Sequence, residues 1–177
     1  PGLGHVLARA ATGDTVAVLN VMGRVFMAPL DNPFTTIDAM LAKLAGQARV
    51  ILVDFHAEAT SEKIAMGWHL DGRVTAIVGT HTHVQAADER VLPGGTAYIT
   101  DVGMSGPHDS VIGVDKQVVL KRFKTGVPGR FDTARGDPRS HGVIVTTDPE
   151  TGLATGIERL SLTQADVDAL RLAVADS

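Results

Sequence analysis

The chain has 177 residues, a net charge of −4 and no cysteine. That length suffices for one domain with a substantial core. The charge leaves no basic footprint for nucleic acid, no apolar run reaches membrane-spanning length, and disulfides and thiolate metal sites are excluded.

The absence of cysteine suits a reducing, cytoplasmic compartment. The chain opens Pro1-Gly2-Leu3-Gly4-His5, without a methionine or a signal-peptide pattern, so the C-terminal portion of a longer protein is expected. Residues 1–177 read as a single domain without repeat, low-complexity tract or linker.

Residues 1–4 read as a loop, 6–11 as a strand, Gly13-Asp14 as a turn and 15–21 as a buried strand. That strand runs into Asn20-Val21-Met22-Gly23-Arg24, where Asn20 reads as a turn cap and Arg24 as a solvated charge in preference to a functional loop. After the turn Asp31-Asn32-Pro33-Phe34, Thr36 is expected to cap a helix through Ile37, Met40, Leu41 and Leu44 that ends near Gly46.

Arg49-Val50-Ile51-Leu52-Val53-Asp54-Phe55-His56 is an apolar, β-branched run that ends in a histidine. Ile64, Ala65, Trp68 and Leu70 follow at roughly helical spacing, with Ser61 as the expected cap. A second apolar run, 74–78, ends in Gly79-Thr80-His81-Thr82-His83-Val84-Gln85. Strand, helix, strand is a βαβ unit with a right-handed crossover and parallel strands about 4.8 Å apart. Both strands then end at the edge where open α/β sheets place their ligands. In extended backbone, residues i and i+2 share a face, so His81 and His83 are expected to converge with His56 on one point. Gly79 lets something approach the backbone closely.

Beyond this unit, 91–92 reads as a strand edge, Pro93-Gly94-Gly95 as a tight turn and 96–100 as a further strand. That strand runs into Asp101-Val102-Gly103-Met104-Ser105-Gly106-Pro107, where Asp101 reads either as a carboxylate that orients an imidazole or as a loop cap. Residues 114–123 read as a helix whose Lys121, Arg122 and Lys124 form a solvated face complementing the dipole. Residues 128–136 and 141–147 read as antiparallel strands joined by a polar turn at Gly136-Asp137-Pro138. Residues 148–152 read as a turn and 153–162 as a last strand. Thr163 is expected to cap a final helix with Val167, Leu170 and Val174 on one face.

Neutral imidazole is a common metal ligand, so His56, His81 and His83 are candidate metal ligands; the alternative is that they cap loops by hydrogen bonding. His5, His69, His108 and His141 are isolated in sequence and read as surface or packing residues. Three neutral ligands on one divalent ion leave room for a water whose pKa the ion lowers. Glu58 could deprotonate that water, but it reads preferentially as the first helix charge on the dipole. No Ser-His-Asp pattern and no Walker loop is present. Two ions would need bridging carboxylates, and no acid stands convincingly beside the histidines.

The stretches Val53-Asp54-Phe55-His56-Ala57-Glu58-Ala59-Thr60-Ser61-Glu62-Lys63 and Gly79-Thr80-His81-Thr82-His83-Val84 closely resemble a bacterial family of calcineurin-like metallophosphoesterases, the 2′,3′-cyclic-nucleotide 2′-phosphodiesterases. Asn20-Val21-Met22-Gly23-Arg24, Asp31-Asn32-Pro33-Phe34 and Gly95-Thr96-Ala97-Tyr98-Ile99-Thr100-Asp101-Val102-Gly103 also resemble it, and the likeness runs to about Leu160. A related capsule-synthesis branch shares the G-x-H-x-H form but not the stretch 54–63.

The resemblance implies a four-layer α/β/β/α metallophosphoesterase sandwich, incomplete here because its N-terminal part is missing. It implies two divalent or trivalent metal ions, iron, manganese or zinc, with His56 and His81 on one and His83 on the other. The remaining ligands, an aspartate, a glutamate–asparagine pair and a further asparagine, belong to that N-terminal part, as does the proton-donor histidine. Glu58, Asp54 and Asp101 do not match those positions. The implied activity is hydrolysis of cyclic nucleotides or related phosphodiesters by a metal-bridging hydroxide, and the chain by itself is expected to be inactive. The implied partner is a small-molecule phosphodiester, with RNA only indirectly concerned, no membrane, and a homo-oligomer compatible with the rest. From the residues alone, two other readings stay open. One is a mononuclear metal hydrolase using His56, His81 and His83 with Glu58 as base; the other is a non-catalytic protein that binds a metal or a nucleotide.

Overall fold

The computed structural model describes residues 2–175; Pro1, expected in the opening loop, and the side chain of Val174 lie outside what is described. In chain order the elements are β1 (His5–Arg9), β2 (Thr15–Met22), α1 (Pro33–Leu44), β3 (Val50–His56), α2 (Thr60–Leu70), β4 (Ala76–Thr80) and β5 (Arg90–Val91). There follow β6 (Ala97–Ile99), β7 (Gly106–Pro107), α3 (Lys116–Thr125), β8 (Pro138–Thr147), β9 (Ala154–Thr163) and α4 (Gln164–Ala175).

A six-stranded sheet runs in the order β1-β2-β3-β4-β6-β5, and a three-stranded sheet in the order β7-β8-β9. In the larger sheet β2, β3, β4 and β6 are parallel, as the βαβ reading requires, and β1 and β5 lie antiparallel at the edges. One face of this sheet presents Leu19, Val21, Val53, Phe55, Ile77 and Tyr98 to α1 and α2, which supply Ile37, Met40, Leu44, Met66 and Leu70 to the same core. On the other face Leu52, Ala76 and Ala97 meet Val145, Ala154 and Ile157 of the smaller sheet. The alternation along each parallel strand thus feeds two layers of packing. The order is helices, sheet, sheet, a mixed α/β arrangement as expected, while α4 follows directly on β9 with its described side chains mostly exposed. Among the described residues, no helix is long and apolar enough to cross a membrane.

Several local expectations are corrected. Asn32, not Thr36, caps α1: its side chain accepts from the Phe34 amide, and Pro33 occupies the first helical turn where no amide is needed. No side chain caps α2, so Ser61 has no such role. The buried face of α2 is Glu62, Lys63, Met66, Gly67 and Leu70, whereas Ala65 is exposed and Trp68 lies outside with the Arg90 guanidinium 5.9 Å from its ring centre. Residues 128–136 form no strand; Thr133 makes only an isolated bridge to Val114. The partner of β8 on that side is instead β7, a two-residue strand in which Pro107 is tolerated because it lies at the sheet's edge. Thr163 and Asp166 exchange hydrogen bonds at the start of α4, as a capping residue should, but Leu170 faces solvent.

The close approach expected at Gly79 is made by the chain itself. A Cβ built there would stand 1.8 Å from the carbonyl oxygen of Thr100, with the Lys63 stem at 3.1 Å. Gly79→Ala is therefore expected to push that carbonyl aside and cost about 3 kcal/mol of stability, as overpacking does. Gly129→Ala, where the nearest atom is 3.8 Å away, is expected to stay within about 0.5 kcal/mol. Urea unfolding of the two variants checks this; equal midpoints would refute it.

Candidate metal centre

The C-terminal ends of β2, β3, β4 and β6 lie along one edge, and the loops that leave them carry most of the candidate residues. Register sets Asn20 opposite Asp54 and His56 opposite Thr80. Four side chains then connect across three strands. Asn20 Nδ2 donates to Asp54 Oδ2 at 2.8 Å, and the Thr80 hydroxyl donates to Asp54 Oδ1 at 2.9 Å. His56 Nδ1 lies 3.0 Å from the same hydroxyl oxygen. Because the Thr80 proton goes to Asp54, His56 Nδ1 must donate, and its Nε2 is left with a free lone pair.

That Nε2 faces His81 Nδ1 at 3.0 Å, with the two rings nearly perpendicular. On its other side His81 Nε2 is 2.6 Å from Glu58 Oε2. With the carboxylate accepting from Nε2–H, a neutral His81 would point a second lone pair at that of His56. The gap between the rings therefore calls for positive charge, a proton or a metal cation. His56 Nε2 and His81 Nδ1 would be the two nitrogens to hold such an ion. The donor set thus fits an imidazole-bound ion of borderline softness. Glu58 is not simply a helix-dipole charge, since its carboxylate is engaged with His81 ahead of the first turn of α2.

The expected convergence of His83 with His81 has no extended backbone to rest on. His81 has φ 120° and His83 has φ 67°, so neither continues the strand and the two-residue alternation does not apply to them. His83 Nδ1 donates to the carbonyl of Ile112 at 3.0 Å, which leaves its Nε2 as a free acceptor. Ile112 itself has φ 47°, a strained conformation for a β-branched residue. Among the described residues, no group of three or more His, Asp or Glu side chains could by itself hold a metal ion.

Asp101 takes the loop-cap role and not the imidazole-orienting one, which Asp54 performs through Thr80. It is 2 % exposed and accepts from the amides of Thr82 and Gly103, each at 2.9 Å. Lys63, 1 % exposed, reaches it from α2 at 3.0 Å. Burial alone would raise the Asp101 carboxyl, but the two amides, the Thr82 side chain and Lys63 hold it below the usual carboxylate range. The pair ties the loop between His81 and His83 to α2. One residue earlier, buried Glu62 accepts from the amides of Arg24 and Val25 and fixes the loop after β2. Asn20 is thus a strand residue and not a turn cap, while Arg24 is exposed as expected.

Of the other histidines, His69 is 3.0 Å from Asp38 on the helical side of the sheet. His108 and His141, expected to be isolated, are edge-to-face neighbours with ring centres 4.4 Å apart. Thr80 and this pair were not expected, and Asn20, read as a turn cap in preference to a functional loop, belongs to the network. The Asp54-x-His56 spacing was the available signal for Asp54, since strand residues two apart share a face.

A profile of the YmdB-like protein family matches residues 1–160. The chain is 52 % identical over 160 residues to a 2′,3′-cyclic-nucleotide 2′-phosphodiesterase of Bacillus subtilis, covering 90 % of this chain and 60 % of that protein. It is 38 % identical over 157 residues to a Mycoplasma genitalium protein named for phosphatase/phosphodiesterase activity, covering 87 % of this chain and 55 % of that one. The chain thus spans less than two thirds of the length of these curated relatives. Among solved structures, a hypothetical protein from Thermus thermophilus superposes with a TM-score of 0.85 at 42 % identity, covering 92 % of this chain and 63 % of that one. A phosphatase from Mycoplasma pneumoniae superposes with a TM-score of 0.82 at 35 % identity, covering 92 % and 58 %. With fold, histidine-bearing edge and relatives in agreement, the chain belongs to the YmdB-like family of the metallophosphoesterase superfamily.

Proposed function

We propose that this chain is the C-terminal part of a metal-dependent phosphodiesterase acting on cyclic nucleotides. His56 and His81 would hold one ion and His83 another, the other ligands coming from the rest of the complete protein. The observation that carries this is the facing of His56 Nε2 and His81 Nδ1 at 3.0 Å, with the His56 tautomer set by Thr80 and Asp54. When bound, such ions polarise a phosphodiester and supply a nucleophile at neutral pH. The chain's own residues do the rest of the positioning. Asp54 and Thr80 engage His56 Nδ1–H, which fixes the ring's orientation and makes Nε2 its ligand nitrogen. Glu58 fixes the His81 ring, Ile112 fixes the His83 ring, and Asp101 fixes the backbone between them.

In the reaction water adds to phosphorus, the P–O2′ bond breaks and O2′ takes a proton, so the product is a 3′-phosphate. The names of the relatives support the phosphoesterase class. In the complete protein, stripping the metal with a chelator is expected to remove at least about 99 % of turnover of 2′,3′-cyclic AMP, which added manganese, iron or zinc restores. The expected product, read by chromatography, is adenosine 3′-monophosphate. Undiminished turnover in chelator would sink the metal reading, and a 2′-phosphate product would sink the assignment of the bond cleaved.

A further inference from the structure

Beside His83 a cavity of about 530 Å³ opens between the loop after β4 and the loop before α3. Val84, Met104 and Ile112 give it apolar walls, and His108 and His141 stand in it edge to face. His108 Nδ1 donates to the carbonyl of Gly106 at 3.1 Å, so its Nε2 is an acceptor. That Nε2 is buried without a hydrogen-bond partner, and so is Nδ1 of His141. Buried polar atoms are nearly always paired, so orphaned nitrogens on two rings that line one cavity point to a ligand there, with His108 Nε2 the acceptor it would meet. Burial, with His108 and Arg139 nearby, lowers the His141 pKa and favours its neutral form. Gly103, at φ +84°, packs directly against the His141 ring: a Cβ there would come within 2.5 Å of Nδ1 and displace the ring from its place beside the cavity.

The volume falls within the usual range for small-molecule sites, which combine apolar walls with a few placed polar groups. No lysine or arginine lines the cavity, so its chemistry suits a neutral, flat, hydrogen-bonding group and not an anion. We propose that this cavity receives the nucleoside of the substrate, with His108 and His141 as specificity residues and the phosphate directed toward His83. The inference rests on the phosphodiesterase reading and adds to it the part of the molecule that recognises base and ribose. Ile112 links the two regions, since its carbonyl holds His83 while its side chain forms the cavity wall.

The test compares the complete protein with its His108→Ala and His108→Phe variants; the second keeps a ring in place while removing the acceptor. Two substrates are used, 2′,3′-cyclic AMP and bis(4-nitrophenyl) phosphate, the latter lacking a nucleoside. The ratio of kcat/KM for the nucleotide to that for the plain diester is expected to fall at least tenfold in both variants, mainly through KM. Binding of adenosine 3′-monophosphate, measured by calorimetry in chelator, is expected to weaken at least tenfold. An unchanged ratio overturns the proposal even if both substrates slow together, since that is what a merely structural histidine would give. Should the unaltered protein hydrolyse neither compound, the phosphodiesterase reading fails, and the binding comparison then decides the cavity by itself: equal affinities for variant and parent overturn it.

Discussion

Lys63→Met in the complete protein is expected to lower the free energy of unfolding by about 3–5 kcal/mol. Lys63 and Asp101 are both almost fully buried, and their nitrogen and oxygen lie 3.0 Å apart. Methionine fills much of the lysine stem's space, so little of the loss would come from a cavity. What remains is a buried carboxylate whose countercharge has gone, with the Thr82 and Gly103 amides and the Thr82 side chain left to satisfy it. Adding Asp101→Asn to the first substitution removes that charge and should recover part of the loss, the mark of direct coupling. The dependence on pH has a fixed sign. The folded-state pKa of Asp101 is depressed, so its contribution is present above the unfolded value of about 3.9 and is lost as pH falls through the lower folded value. The gap between parent and variant should therefore be widest near neutrality and narrow below about pH 4. Urea titrations at several pH values measure it, and a loss under about 1 kcal/mol at pH 7 would mean that the pair is not coupled as described.

His81→Ala in the complete protein should reduce kcat/KM for 2′,3′-cyclic AMP about a thousandfold. Removing an ion's stabilisation forfeits several kcal/mol, and each 1.36 kcal/mol is a factor of ten. His5→Ala, on edge strand β1 and separated from His56 by strand β2, should change the rate less than about twofold. Thr80→Val keeps the shape but removes the hydroxyl that fixes His56; loss of such an orienting partner typically costs 10–100-fold in metal affinity. Metal titration of the three variants followed by initial rates gives the order. If His81→Ala and His5→Ala behaved alike, the ligand assignment would fall.

The parallel core of this fold was readable because its strands are apolar, β-branched and separated by a segment of helical length. Residues 50–56 and the glycine–histidine edge appear where the pattern puts them. The helix face was not readable. Ile64, Ala65, Trp68 and Leu70 suggested one buried stripe; Leu70 is buried and Ile64 packs against the core, but Ala65 and Trp68 are exposed and the stripe contains Glu62 and Lys63 instead. Hydrophobic periodicity treats charges as solvent-facing, and here both charges are buried because loop amides and Asp101 satisfy them. The same limit applies at the site. The two-residue spacing of His81 and His83 suggested a shared face, yet positive φ at both residues takes them out of the extended conformation on which that alternation depends. Backbone handedness outside glycine leaves little trace in composition. The pairing of His108 with His141 joins a loop to a distant strand, which local pattern does not encode.

The register of the larger sheet also sets a timetable. β8 and β9 are consecutive and joined by a tight turn at Asp148, and such hairpins close in about 1–10 μs. The parallel contact of β2 with β3 joins Asn20 to Asp54 across 34 residues, and β3 meets β4 only once α2 has been laid between them. Pairings of that span pay for loop closure before they gain contacts, so they form late. His56 and His81 stand at the ends of those late strands. An ion held by both rings, as proposed, would require β3 and β4 to have paired, so its uptake during refolding would report on that late pairing.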